Sequence, residues 1–130
     1  MARRPLSPHL FIYRFGYTMT LSILHRAMGI VLSLGLLLFA AWLTAAAGDV
    51  AGYERFVALL PVPLLQAGLV VLLLAFVYHF ANGIRHLCWD AGFGFEKAQA
   101  RRSALLVVTF TVVALAVLLY VMFARHGGAP

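Results

Sequence analysis

The sequence predicts an all-α membrane protein, with three transmembrane helices in an antiparallel bundle. Three observations lead there. Of its 130 residues, 64% are hydrophobic and only 11% are charged. A soluble domain carries about 25% charged residues, so a core this small cannot hide that much apolar surface from water. Residues 27–48, 56–78 and 103–124 form runs of 22, 23 and 22 residues without Asp, Glu, Lys, Arg or His, and a helix crossing the hydrocarbon needs about 20. Leu, Val and Ala fill the runs without period-two alternation, which argues against a barrel.

The elements follow in order along a chain with no internal repeat and no second domain, so residues 1–130 read as one membrane domain. Residues 1–20 are a polar-to-aromatic lead. Pro5 and Pro8 break regular structure there, and Phe11, Tyr13, Phe15 and Tyr17 suit a membrane interface. The first helix is expected over about residues 21–46 and ends at Gly48, Asp49 and Gly52. An outer loop holds Tyr53, Glu54 and Arg55. Pro61 and Pro63 bracket the entry to a second helix over about residues 63–87, since proline is tolerated in a first turn. Gly92 and Gly94 mark an inner loop. A third helix is expected over about residues 103–123, with Ser103 in a capping position. It carries no ionisable residue except Tyr120, and no chemistry is assigned to it. The Gly127-Gly128 tail is expected to fray.

Charge orients the bundle. The net charge is +6, and Arg3, Arg4, Arg14, Arg26, Arg85, Lys97, Arg101 and Arg102 all fall on one side of a three-span layout. Only Arg55 and Arg125 fall on the other. The positive-inside rule puts the N-terminus and the second loop in the cytoplasm and the C-terminus outside. Basicity thus records topology, and nucleic acid is not an expected partner. The lone cysteine, Cys88, permits no intrachain disulfide and lies on the reducing side. Polar residues and prolines precede the first apolar run, unlike a signal peptide. The simplest placement is a bacterial cytoplasmic membrane, although an organelle-encoded or processed chain would look much the same.

Two polar stripes converge at the inner leaflet. On the first helix Ser22, Arg26, Gly29 and Ser33 share one face, and Gly29 with Ser33 lets another backbone approach closely. On the second, His79, Asn82, Gly83 and His86 fall at i, i+3, i+4 and i+7. With the membrane boundary near Leu87, His79 lies about 12 Å inside at 1.5 Å per residue, and His25 and Arg26 lie roughly one turn inside the same surface. An ionisable side chain at membrane depth is costly and usually functional.

A neutral imidazole is a good axial ligand for haem iron, and Gly83 leaves room beside His79 for a flat macrocycle. Haem propionates need cationic partners near the interface, which His25, Arg26, Arg85 and His86 can supply. A quinone head group needs hydrogen-bond donors and proton access at the same depth, which suits Ser22 and Arg26. Blander readings stay open on spacing alone. His79 can be a structural hydrogen bond between helices, and His25, Arg26, Arg85 and His86 can be interfacial anchors. Asp49, Glu54, Asp90 and Glu96 are the only acids, all in loops or at helix ends, so no paired-carboxylate or Ser-His-Asp chemistry is visible. The lack of a buried acid also argues against a small transporter.

Over essentially its whole length the chain resembles the succinate dehydrogenase cytochrome b family, the larger membrane anchors of respiratory complex II. The resemblance rests on Arg4-Pro5-Leu6-Ser7-Pro8-His9-Leu10, on Ser22-Ile23-Leu24-His25-Arg26 with Gly29, and on His79-x-x-x-Gly83-Ile84-Arg85-His86-x-x-x-Asp90, in that order. It implies one haem b shared with a second small anchor subunit, His79 as the axial iron ligand on this chain, and the opposite ligand from the partner. It implies Ser22 and Arg26 at the ubiquinone pocket, with His25 and Arg26 near the haem propionates. An iron–sulfur subunit and a flavoprotein complete such an assembly, so the chain is not expected to be an enzyme alone. One histidine cannot ligate both faces of a six-coordinate haem, which independently calls for a second chain. The rival expectation is a haem-free, purely structural anchor for soluble redox subunits.

Overall fold

Three long helices and one short one account for nearly all of the computed structural model, which describes residues 16–126. They are α1 (Tyr17–Ala47), α2 (Val50–Val57), α3 (Pro63–Asp90) and α4 (Lys97–His126). Helices α1, α3 and α4 are each long and apolar enough to cross a membrane, so the molecule is an all-helical, multi-pass membrane protein. The Arg4–Leu10 motif, Phe11, Tyr13, Phe15 and the Gly127-Gly128 tail lie outside the described residues.

The 31 residues of α1 span about 46 Å at 1.5 Å per residue, more than the hydrocarbon thickness of about 30 Å. The helix therefore tilts or projects beyond the bilayer. No side chain caps its start at Gly16, but the Thr20 hydroxyl donates back to the Gly16 carbonyl (3.3 Å). Gly48 ends it.

The segment expected as an outer loop is instead helical. Asp49 caps α2, its carboxylate accepting from the Gly52 amide at 2.8 Å. The cap converts a short polar stretch into two helical turns, something a search for long apolar runs passes over. Pro63 occupies the first turn of α3, where its missing N–H costs no bond.

Between α3 and α4, Gly92 and Gly94 take φ of +89° and +87°. L side chains avoid that region, so the tight reversal depends on glycine. The Gly94 carbonyl then accepts from the Trp89 indole N–H (3.1 Å). Helix α4 begins six residues before the expected start, at Lys97. Ser103 is accordingly inside the helix rather than capping it, and its hydroxyl donates to the Ala100 carbonyl (3.1 Å).

Packing is concentrated at the end of the bundle bearing Arg85 and Lys97. Leu21, Tyr78, Ala104 and Val107 form the buried cluster, with Met28 and Ala81 against it. Leu34, Leu37, Leu64, Val112 and Phe123 are among many large apolar residues left exposed, as expected where lipid replaces water. Three helices are stapled through polar groups within this core. The Leu21 carbonyl of α1 accepts from the Tyr78 hydroxyl (2.7 Å) and the Asn82 amide (3.4 Å). Arg85 bonds the Asn82 carbonyl oxygen (3.4 Å), the Ser103 hydroxyl (3.0 Å) and the Ala100 carbonyl (3.2 Å), and its guanidinium lies 4.0 Å over the Trp89 ring. Asn82 is completely buried and Arg85 nearly so.

Candidate functional site

The α1–α3 interface holds a column of three imidazoles. His79 and His25 stack with ring centroids 3.9 Å apart and planes at 11°. His86 continues the column, 5.0 Å from His25. Trp89 meets His86 edge-on at 5.2 Å. The spacing of His79, Gly83 and His86 along one face of α3 brings both of its histidines to α1, where His25 sits between them.

The orientation of His79 follows from one contact. Its Nδ1 lies 3.1 Å from the backbone carbonyl of His25. A carbonyl can only accept, so Nδ1 carries a proton, and in the neutral ring the lone pair is then on Nε2. This is the neutral tautomer that ligates a metal, with the second nitrogen fixed by a backbone acceptor in the usual manner of metal-binding histidines.

Gly29 makes the contact possible. A Cβ there would stand 3.1 Å from His79 Cε1 and 3.6 Å from Nδ1. The ring thus lies in a notch of α1 that a side chain would crowd. The carbonyl it reaches belongs to the residue four before Gly29, which in an α-helix also accepts the Gly29 amide. Gly83 contributes less, since a Cβ there would make an ordinary 3.7 Å contact with His25.

Two polar atoms in the column are buried without a protein partner, His25 Nδ1 and His86 Nε2. Buried side-chain nitrogens are nearly always hydrogen-bonded. Two orphans one ring apart, beside His79, leave hydrogen-bonding capacity that a group from outside the chain could complete.

The other sequence candidates are placed differently. Ser22 is half-buried and Arg26 exposed on α1, the pair standing free on the flank of the column. Arg85 is not brought to the histidines at all. It is adjacent to His86, yet consecutive helical residues diverge by about 100°. Its guanidinium is turned to α4 and spent on Asn82, Ser103, Ala100 and Trp89. Within the chain, Arg85 serves to join helices. Asn82, grouped with His79 by spacing, is likewise drawn into that staple. Tyr78 and the His25 carbonyl were not singled out in the sequence. A backbone acceptor has no residue signature, and only the Gly29 notch one turn away hints at it.

Comparison with known proteins shows the family. The family model described as succinate dehydrogenase/fumarate reductase transmembrane subunit matches residues 1–118. The mitochondrial succinate dehydrogenase cytochrome b560 subunit of Mus musculus is 40% identical over 114 residues, covering 86% of this chain and 68% of the relative. Its Homo sapiens counterpart is 38% identical over the same shares. The succinate dehydrogenase cytochrome b556 subunit of Rickettsia felis is 36% identical over 119 residues, 92% of each chain. A family match over residues 1–118 and relatives at 36–40% identity leave one assignment: the chain belongs to the succinate dehydrogenase/fumarate reductase transmembrane subunit family.

Proposed function

We propose that this chain is the haem b-binding membrane anchor of a succinate:quinone oxidoreductase and forms part of its ubiquinone-reducing site. The observation that carries the proposal is the 3.1 Å contact from His79 Nδ1 to the His25 carbonyl, which reserves Nε2 for a ligand. The residues present fit the group. His79 would hold the iron through Nε2, Gly29 gives its ring room against α1, and the orphaned nitrogens of His25 and His86 would meet the propionates. When bound, haem b supplies a one-electron iron centre. A second anchor subunit would share in holding the haem, since His79 is one ligand only.

Ser22 and Arg26 carry the quinone chemistry. A hydroxyl and a guanidinium four residues apart on one face orient the head group and polarise its carbonyls. Electrons come from the iron–sulfur subunit, which a flavoprotein feeds from succinate. Protons come from the cytoplasmic side, where the N-terminus and the α3–α4 loop lie in a bacterial inner membrane. The whole chain acts as one anchoring domain.

The test is spectroscopic. His79→Ala in the purified complex is expected to lose or weaken axial ligation and so alter the reduced haem absorption. An unaltered reduced spectrum refutes the ligand assignment. Arg26→Leu removes a charged hydrogen-bond donor worth about 1.5–3 kcal/mol, a loss of roughly 10- to 100-fold in quinone reduction. Ser22→Ala should lose less. In both variants succinate oxidation by a soluble dye is expected to persist, whereas equal loss of both activities points to failed assembly instead.

A further inference from the structure

A second cleft lies between α1 and α4, on the side of α1 away from Arg26. It is a groove of about 1320 Å³ with two chemically distinct ends. At its rim stand Lys97, Arg101 and Arg102, from the first turns of α4. Its floor, lined by Leu105 and Val108, runs down an exposed apolar side of the helix. From Lys97 to Val108 it descends about 16 Å at 1.5 Å per residue, roughly half the hydrocarbon thickness. Tyr17 closes the top by donating its hydroxyl to the Lys97 carbonyl (3.4 Å).

Among the described residues, no carboxylate pairs with any of the three rim cations. The amino end of α4 adds the positive pole of its dipole at the same point. The groove is too large and too open for a compact metabolite, whose pockets run about 300–1,000 Å³. An occupant must combine an anionic head at the membrane surface with a long apolar tail. From this charge complementarity above an apolar channel we infer that the α1–α4 groove is a binding site for an anionic glycerophospholipid. Its phosphate lies among Lys97, Arg101 and Arg102, and an acyl chain lies along Leu105 and Val108. Basic pockets between transmembrane helices recognise lipid head groups in this way. The site is separate from the histidine column and does not depend on the haem assignment.

The experiment uses the assembled complex, exchanged into micelles with either phosphatidylglycerol or phosphatidylcholine and stripped by gel filtration, with retained lipid counted by native mass spectrometry. Phosphatidylglycerol is expected to stay and phosphatidylcholine to leave. In K97Q/R101Q/R102Q, each lost charge costs roughly fivefold in retention, on the order of a hundredfold together. The charge-preserving K97R/R101K/R102K should retain the lipid. Val108→Trp, which fills the floor at an exposed position and leaves the charges, should lower retention as well. Excess inorganic phosphate should not displace the lipid, because the acyl contact remains. Wild-type retention in the neutral triple variant overturns the inference. So does displacement by phosphate, or release of the iron–sulfur and flavoprotein subunits in the triple variant with lipid still bound, which would mark the rim as a protein-docking surface.

Discussion

Helix α3 carries two polar clusters at nearly the same depth, about 100° apart around its axis, and they differ in how completely they satisfy themselves. In one, Arg85 bonds Asn82, Ser103 and the Ala100 carbonyl of α4, while Asn82 bonds the Leu21 carbonyl of α1. In the other, His25 and His86 each leave a buried nitrogen without a partner. Both clusters are expensive to keep in a membrane. One repays that expense within the chain, by joining three helices. The other does not, and leaves two nitrogens available to a group from outside. Polarity at depth does not by itself identify a site; unfinished bonding does.

Arg85→Ala should break this contrast most severely. It removes the guanidinium and strands the buried Asn82 oxygen, with loss of a charged hydrogen-bond set costing on the order of 3 kcal/mol. The expected outcome is lower yield and a lower melting temperature of the solubilised complex. Arg85→Lys should recover only part, since an ammonium cannot reproduce the planar fork. Any complex that does assemble should keep its haem spectrum. A haem defect without a stability defect would move Arg85 back to the histidine side.

Gly29→Ala probes the other face with a smaller effect. The new methyl would meet His79 Cε1 at 3.1 Å, so the ring must yield by a few tenths of an ångström. Such overpacking costs about 1 kcal/mol, and the readout is specific. The absorption or paramagnetic signature of the haem should shift while the amount of assembled complex stays near normal. An unchanged signature would mean that the notch does not set the ring.

How far these features were legible in the sequence depended on the length scale of their cause. The three spans were, because an uninterrupted apolar run is a property of composition. So was the pairing of His79 with His86, because a seven-residue interval returns to the same helical face. The short helix α2 was not, since it depends on a single Asp49 cap. Nor was the early start of α4, where charged Lys97, Arg101 and Arg102 continue a helix beyond its apolar part. The partners of Arg85 were hidden for a related reason. Adjacency to His86 in the motif suggested a shared task, whereas adjacency on a helix separates two side chains by more than a quarter-turn. The acceptor for His79 was hidden because it is backbone.

Tyr78→Phe is the mildest test and the sharpest on coupling between the two faces. The Tyr78 hydroxyl donates to the Leu21 carbonyl at 2.7 Å, one turn before His25. Its loss leaves that carbonyl with the Asn82 donor, so no acceptor is stranded. Interhelical hydrogen bonds in membranes average about 0.6 kcal/mol and reach about 1.7, so only a small fall in melting temperature is expected. The haem spectrum should not move if the staple and the column are independent. A spectral shift would show that the position of Leu21 is transmitted along α1 to the His25 carbonyl and hence to His79, so that the satisfied cluster tunes the unsatisfied one rather than merely standing beside it.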